Sequence, residues 1–254
     1  ESLGNAGRVV RRPDPQEGWF LSFHHRCHRG RLSPGSQILV QPSTYDEQLF
    51  IDKDLEIIGD LTQSLNEVTP AINRSEVTQD KVIIKSASKT AVVFNAATGR
   101  LKNLNIAQIG GGPGFFGIDI QSGKLTVEQC DVTSKSAACV YIHGSADPTI
   151  VQNKISEGGA EGILLDEDAK GSITDNRIWN NAAAGIDISG GAYPTVTKNR
   201  IHDGNLIGAY IHDQGRANFM DNEIFANKTI GVKVSTGADP LFQKNRIHDE
   251  PEIG

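Results

Sequence analysis

The second half of the chain alternates apolar and polar residues in short runs. The stretches 140–143, 186–189 and 232–235 each place Ile or Val at every second position. A period of two is typical of β-strands, and these runs are too short and too rich in β-branched residues to favour helices. The pattern therefore predicts an all-β fold built from short strands.

One asparagine position recurs at a step of 23 residues, and the isoleucine two positions later keeps the same step. The asparagines are Asn153, Asn176, Asn199, Asn222 and Asn245. A unit of this length with glycine and asparagine at its corners predicts one coil of a right-handed parallel β-helix, a single-stranded solenoid. Equivalent residues would stack at roughly 4.8 Å, so we expect the asparagines to form a hydrogen-bonded structural ladder.

The repeats predict one β-helix over residues 36–254, with roughly nine coils. Its coils are irregular over 36–114, which include a polar insertion at 62–80, and regular over 115–254. Residues 1–35 differ from the rest, and we predict that this segment is an N-terminal cap or extension because exposed sheet edges favour aggregation. The sequence ends as a new coil begins, so we expect the C-terminal coil to stack on further sequence or on a partner.

Several of these motifs resemble a known group of repeats. The stretches "GAYIHDQGRANFMDNEIFAN" (208–227) and "GVKVSTGADPLFQKNRIHD" (231–249) resemble CASH-type, pectate-lyase-like β-helix repeats, above all those of F-box-only proteins. "ILVQPSTYDEQLFIDKDLEIIGD" (38–60) is similar to the first coil of the same proteins and of the SHC-binding-protein type. The resemblance implies a non-enzymatic recognition or scaffold module. Residues 1–35 show no F-box motif, so a ubiquitin-ligase role is not carried over.

Charge and composition narrow the classes of partner. The formal net charge of −6 argues against a nucleic-acid partner, and no apolar run reaches the length of a bilayer span, so no membrane partner is expected. Cys27, Cys130 and Cys139 do not suggest a disulfide framework, which favours a reducing compartment and a cytoplasmic, intracellular location. The "HHRCH" segment (24–28) lacks a second ligand pair at a zinc spacing. We therefore predict no metal and no cofactor.

Sugar-acid lyases and epimerases also use this fold, and the outward columns of this chain carry candidate catalytic groups. Tyr141, His143 and Asp166 lie on neighbouring predicted coils and could abstract a proton next to a substrate carboxylate. A polysaccharide lyase or epimerase is therefore the alternative function, although a solvated polar face explains the same residues. Asp119 and Asp187 would lie roughly 14 Å apart, farther than the roughly 5–9.5 Å of paired glycosidase carboxylates.

A second outward column carries aromatic and imidazole rings, each following an inward isoleucine. Stacked rings at exposed sites often mark recognition surfaces, although they could equally support the corner of the coil. The predicted binding surface comprises Tyr141, Trp179, Asp187, His202, Tyr210, Phe225 and His248. We therefore predict a rigid module that recognises another protein. A carbohydrate-binding module that uses Tyr141, Trp179 and Tyr210 is a further possibility.

Overall fold

A computed structural model describes residues 9–11, 33–61 and 81–251 of the chain. Within these ranges the chain forms 27 β-strands and no helix, and the strands pair in parallel into three sheets. The protein is a right-handed parallel β-helix, as its repeats predict. The predicted polar insertion, the His-rich segment with Cys27 and most of the predicted N-terminal cap lie outside the described residues.

The strands fall into three stacks that run the length of the solenoid. The first sheet consists of β1 (Val9–Arg11), β2 (Ser36–Val40), β5 (Leu55–Gly59), β8 (Thr98–Lys102), β11 (Lys124–Glu128), β14 (Thr149–Val151), β17 (Ser172–Thr174), β20 (Thr195–Thr197), β23 (Asn218–Met220) and β26 (Leu241–Gln243). The second sheet consists of β3 (Ser43–Asp46), β6 (Val82–Ser86), β9 (Asn105–Gln108), β12 (Asp131–Ser134), β15 (Lys154–Ser156), β18 (Arg177–Trp179), β21 (Arg200–His202), β24 (Glu223–Phe225) and β27 (Arg246–His248). The third sheet consists of β4 (Leu49–Ile51), β7 (Val92–Phe94), β10 (Ile118–Ile120), β13 (Val140–Ile142), β16 (Ile163–Leu165), β19 (Ile186–Ile188), β22 (Ile207–Ile211) and β25 (Ile230–Val234).

Each coil passes once through the first, second and third sheets. Eight coils are complete, from β2 to β25, and β26 and β27 begin a ninth, which is close to the predicted count of roughly nine. Ile155 pairs with Ile178, an offset of 23 that is kept from β11 onward. The step from β10 to β13, at the start of the coils predicted to be regular, is 22 residues. Near the start, β1 pairs in parallel with β2 and covers its edge.

The core is one continuous column of inward-facing side chains. In β2 and β5 buried and half-buried residues alternate along the strand, as a period of two requires. Stacked inward isoleucines such as Ile155, Ile178 and Ile201 are fully buried, and burying each contributes about 1.5–3 kcal/mol. Phe94 and Phe219 are the largest fully buried side chains. Outward-facing residues are consequently free to differ from coil to coil.

The corner between the first and second sheets is held by the asparagine column. Oδ1 of Asn199 accepts hydrogen bonds from both the backbone N–H and the side-chain Nδ2 of Asn176. Nδ2 of Asn176 also donates to the carbonyl oxygen of Ile150, at 2.8 Å. The same bonds link successive asparagines from Asn153 to Asn245, so these side chains form the ladder that their spacing predicts.

A second amide column, which the sequence analysis missed, supports the corner before the third sheet. Oδ1 of Asn181 accepts from the backbone N–H of Gly158, and Oδ1 of Asn227 accepts from that of Gly204. The two asparagines are 46 residues apart, twice the basic step, and Gly204 takes the same position in the one coil between them. A Cβ on Gly204 would lie 2.8 Å from Oδ1 of Asn227, so the alternation leaves room for each amide.

Candidate functional site

The outer face of the third sheet carries two polar columns that the parallel register stacks in neighbouring coils. The column at the middle of each strand is Asp119, Tyr141, Leu164, Asp187, Tyr210 and Lys233. The column just after each strand is Gln121, His143, Asp166, Ser189, His212 and Ser235. Both columns are those that the sequence repeat predicts, and they bring tyrosine, histidine and carboxylate side chains onto one face.

The first unit on this face consists of Asp119, Tyr141 and His143. Nε2 of His143 lies 2.9 Å from Oδ1 of Asp119. The other oxygen of that carboxylate accepts a hydrogen bond from Nε2 of Gln121, at 2.9 Å. The ring of Tyr141 stacks on His143 with centroids 4.3 Å apart and also packs against the tilted ring of Phe116, at 4.7 Å. The imidazole is therefore fixed between an aromatic ring and an oriented carboxylate.

Asp166 does not join His143, so the predicted trio of Tyr141, His143 and Asp166 is not assembled as a bonded group. Oδ1 of Asp166 accepts the backbone N–H of Glu167 at 2.7 Å, within a turn where Glu167 has φ of 54°. The carboxylate of Asp166 is thus fixed by the backbone of its own turn, while His143 contacts Asp119 in the preceding coil. Asp166 still affects the site through its charge. The pKa of Tyr141 is raised mainly by burial of its own side chain and also by the negative charge of Asp166.

The second unit, Asp187, Tyr210 and His212, repeats this geometry. Nε2 of His212 lies 3.0 Å from Oδ1 of Asp187, and the ring of Tyr210 stacks on His212 with centroids 4.2 Å apart. Nδ1 of His212 is 2.8 Å from Oδ2 of Asp213, so both ring nitrogens face carboxylates. Nζ of Lys233 lies 4.9 Å from the Tyr210 ring centroid, which gives this unit a cation that the first unit lacks.

Asp187 is buried, contrary to the prediction that it forms part of the exposed surface. Only 8% of the residue is exposed, because Leu164 and Tyr210 occupy the register positions on either side of it. Loss of solvation raises the pKa of its carboxyl to about 6, even though the neighbouring His212 acts in the opposite direction. A carboxyl that titrates close to neutral pH beside an imidazole is able to take part in proton transfer.

The two units are separated by three coils on the same face. Tyr141 and Tyr210 are 69 residues apart, as are His143 and His212, and 69 is three steps of 23. At the spacing of β-strands this places equivalent groups roughly 14 Å apart. Asp119 and Asp187 are therefore too far apart to act as one glycosidase pair, as predicted, and each instead partners its own histidine.

The aromatic column lies on the second sheet and is a continuous stack. Ring centroids are 6.3 Å apart between Trp179 and His202, 4.8 Å between His202 and Phe225, and 5.3 Å between Phe225 and His248. Trp179, Phe225 and His248 are half-buried. The guanidinium carbon of Arg177 lies 4.7 Å from the Trp179 ring centroid, so arginine covers part of the stack.

His202 is not a surface residue, which corrects its place in the predicted binding surface. It is 3% exposed because the rings of Trp179 and Phe225 flank it. Nε of Arg177 donates to its Nε2 at 3.0 Å, and Nδ1 lies 2.6 Å from Oδ2 of Asp203. Because an arginine N–H can only donate, Nε2 is the acceptor and the imidazole proton is on Nδ1.

Other chemistry is limited in the described part of the chain. No group of three or more His, Cys, Asp or Glu side chains there is arranged to hold a metal ion. None of the described segments is an apolar helix of membrane-spanning length. Cys130 and Cys139 are free and buried, and burial raises the pKa of each thiol to about 12, which makes them poor nucleophiles.

Comparisons with known proteins agree with this fold. A family described as the right handed beta helix region matches residues 138–252. The crystal structure of the pectate lyase Pel9A is 12% identical with a TM-score of 0.60, covering 87% of this chain and 70% of that one. A DFA-IIIase mutant from Arthrobacter chlorophenolicus A6 is 16% identical with a TM-score of 0.54, covering 85% of this chain and 58% of that one. No curated protein matches the sequence. The chain is thus a right-handed parallel β-helix protein of the pectate-lyase-like architecture.

Proposed function

We propose that this protein binds an extended polysaccharide along the outer face of its third sheet. The observation that carries the proposal is the repetition of one Tyr–His–Asp arrangement at Tyr141 and Tyr210, roughly 14 Å apart on a rigid face. A polymer with a repeating covalent structure can contact both units in the same way. The edges of the half-buried tyrosine rings, with their hydroxyl groups, and the adjoining imidazole and carboxylate groups suit the hydroxyl groups of sugars.

A saccharide ligand is compatible with the fold that this chain shares with its structural neighbours. One of the two structural neighbours is named as a pectate lyase, and it shares the fold over most of this chain. At 12% identity this likeness establishes the fold alone, so the argument for function rests on the two units themselves.

Calorimetric titration against a panel of soluble polysaccharides, pectate included, tests the proposal. We expect at least one polymer to bind, and the double variant Tyr141→Ala/Tyr210→Ala to lose most of that affinity. Trp179→Ala removes an aromatic ring from the second sheet instead and is the matched control, which we expect to bind as the unchanged protein does. Failure of every polymer to bind, or equal binding by the double variant, contradicts the proposal.

A second candidate is a proton-transferring enzyme of the lyase or epimerase type at the second unit. It is favoured by the raised pKa of Asp187 beside His212, and by Lys233, which could neutralise a sugar carboxylate. An epimerase would exchange the sugar C–H proton with deuterium from solvent, and a lyase would form a new C=C bond that absorbs ultraviolet light. Neither signal should survive in Asp187→Asn if this candidate is right, and binding without either signal in the unchanged protein would exclude it.

The alternative of an intracellular protein-recognition or scaffold module is favoured by the arginine-covered ring stack of the second sheet. Arg177 lies over Trp179 and Arg200 over Phe225, which are residue types enriched at the centres of interfaces. This alternative predicts that Trp179→Ala weakens capture of a partner while the melting temperature stays unchanged. Equal loss of capture and of melting temperature would mean that the ring is structural.

A further inference from the structure

The outer face of the first sheet is uncharged in its last five strands. Strands β14, β17, β20, β23 and β26 each place two residues outward, and these are four threonines, three other polar residues and three apolar residues. In the same coils half of the outward residues on the second sheet are charged, namely Lys154, Arg177, Arg200, Glu223 and Arg246. The uncharged face of the first sheet is therefore unusual on a chain in which 22% of residues are charged.

Three hydroxyl groups at the centre of this face bond to one another. Oγ1 of Thr174 lies 2.9 Å from Oγ1 of Thr197 and 3.1 Å from Oγ of Ser172. Leu241 is 50% exposed and Met220 is half-buried, which adds apolar surface towards the end of the face. Because polar groups that are already paired lose little when water is removed, the face can be covered at a small cost in free energy.

A row of residues borders the uncharged face on each side. The leading row stands before the strands and consists of Asp147, Lys170, Tyr193, Arg216 and Asp239. The trailing row stands directly after the strands and consists of Gln152, Asp175, Lys198, Asp221 and Lys244. All five trailing residues have φ of 55–56°, so this row keeps the same backbone geometry in every coil.

The two rows carry opposite charges in every coil in which both are charged. The pairs are Lys170 with Asp175, Arg216 with Asp221, and Asp239 with Lys244. The members of a pair lie on opposite sides of the strand, roughly 17 Å apart along the chain, which is too far for a contact within one molecule. All six side chains are exposed, and within the described part of the chain none of them forms an ion pair. Their charges are therefore available to a partner.

We propose that a second copy of this chain packs on the uncharged face, related to the first by a two-fold axis parallel to the solenoid. Such an axis keeps the coils level and reverses the strand direction, so the leading row of each copy runs along the trailing row of the other. Lys170 then faces Asp175 of the second copy, and the other two pairs are matched in the same way. The uncharged residues pack between the rows, with the two sheets about 10 Å apart.

The other two-fold arrangement that overlaps all five strands has its axis along β20. It places each row against itself, with Lys170 opposite Arg216 and Asp147 opposite Asp239. Like charges that face each other across an interface are unfavourable. The charge pattern therefore selects the parallel arrangement, in which both copies run in the same direction.

The uncharged face is small for a protein interface. It spans roughly 20 Å along the solenoid and roughly 17 Å across it. Contacts of this size are at the lower end for specific complexes, so we expect association at micromolar concentrations. The third sheet forms another side of the solenoid and stays exposed in this dimer. The inference is therefore independent of the proposed function.

Sedimentation velocity of the full chain across the micromolar range tests the association. We expect the sedimentation coefficient to rise with concentration from that of a monomer to that of a dimer. Thr174→Lys puts a charge at the centre of the face and should keep the protein monomeric at every concentration. Thr133→Lys makes the same change on the outer side of the second sheet and is the matched control, which we expect to dimerise as the unchanged protein does. Circular dichroism checks that both variants are folded.

A pair of charge-reversed variants tests the contact between the rows. Lys170→Asp/Arg216→Asp and Asp175→Lys/Asp221→Lys each bring like charges together in two of the three pairs. Each variant alone should therefore associate more weakly than the unchanged protein, by about tenfold or more. When the two variants are mixed, opposite charges meet again at both rows, and we expect the dimer to return.

Carbodiimide cross-linking of mixed light and isotope-labelled protein tests the direction of the two copies. We expect mass spectrometry to find links between copies from Lys170 to Asp175 and from Asp239 to Lys244. Links between copies from Lys170 to Asp239 instead, or failure of the mixed variants to associate, would contradict the parallel arrangement. A monomer at every concentration, or a dimer that survives Thr174→Lys, overturns the inference as a whole.

Discussion

The backbone N–H and the side-chain amide of Asn176 both donate to a single oxygen, Oδ1 of Asn199, at 2.9 and 3.0 Å. Nδ2 of Asn199 in turn donates to the carbonyl oxygen of Ile173, at 2.8 Å. All of these groups are buried, so no solvent replaces a lost bond. Nδ2 of Asn199 also donates to Oδ1 of Asn222, at 3.0 Å, so this one side chain satisfies polar groups of both the preceding and the following coil.

Asn199→Ala is therefore expected to lower the free energy of unfolding by about 3 kcal/mol or more, because it leaves several buried polar groups without partners. Urea unfolding followed by circular dichroism measures the change. Lys198→Ala, one residue earlier on the exposed side of the same turn, is the control and should change stability far less. Equal free energies of unfolding for the two variants would show that the hydrogen bonds of the ladder contribute little to stability.

Gly185 and its equivalents set how closely the coils approach before each strand of the third sheet. A Cβ on Gly185 would lie 2.5 Å from Cγ2 of Ile201 and 2.7 Å from the carbonyl oxygen of Gly208. We expect Gly185→Ala to destabilise the protein by about 1–3 kcal/mol, as overpacked cores typically do. Gly111→Ala is the control, since nothing lies within 4 Å of a Cβ built there. A neutral Gly185→Ala would show that neighbouring coils can shift to make room.

The fold and the identity of the stacked columns could be predicted because both follow from a repeat that is exact over many coils. Which side chains pair with each other within a column could not be predicted. His143 has a carboxylate in each neighbouring coil on this face, and the step of 23 does not decide between them. The choice is made by the local turn, where the N–H of Glu167 holds Asp166 and leaves Asp119 to His143.

The sequence pattern likewise does not predict which residues of an outward column are buried. The position of His202 after an inward isoleucine correctly places it on the outer side of the second sheet. Its exposure depends on the neighbours above and below, and the rings of Trp179 and Phe225 are large enough to enclose it. Asp187 is covered in the same way by Leu164 and Tyr210. A surface prediction for a solenoid therefore needs the size of the stacked neighbours as well as the direction of each side chain.

Arg177 is expected to contribute more to the free energy of unfolding than Arg200, which takes the same position in the next coil. Its Nε supplies the donor for the buried Nε2 of His202, and its guanidinium covers Trp179. Arg177→Ala should cost about 1–3 kcal/mol because the imidazole acceptor is left unsatisfied. Arg200→Ala removes an exposed ion pair with Glu223 and should cost about 1 kcal/mol or less. Urea unfolding of the two variants compares them, and equal losses would contradict the role given to the Arg177–His202 bond.

Asp187 is expected to make the stability of the protein fall as pH rises from about 4 to about 6. Its pKa is raised from 3.8 to about 6 in the folded protein, chiefly by burial. Between these values the folded state binds more protons than the unfolded state, so unfolding becomes easier with each step up in pH. The contribution is complete below the unfolded value and lost above the folded one, and a shift of this size corresponds to about 3 kcal/mol.

Urea unfolding at a series of pH values across this window tests the assignment. In Asp187→Asn the carboxyl is gone, so we expect the downward slope between pH 4 and 6 to flatten by the amount that Asp187 supplies. Asp213→Asn removes an exposed carboxylate from the other side of the same His212 ring and is the matched control, because its loss leaves Asp187 buried. A slope that persists in Asp187→Asn but disappears in Asp213→Asn would place the pH dependence on the exposed partner and contradict a protonation role for the buried one.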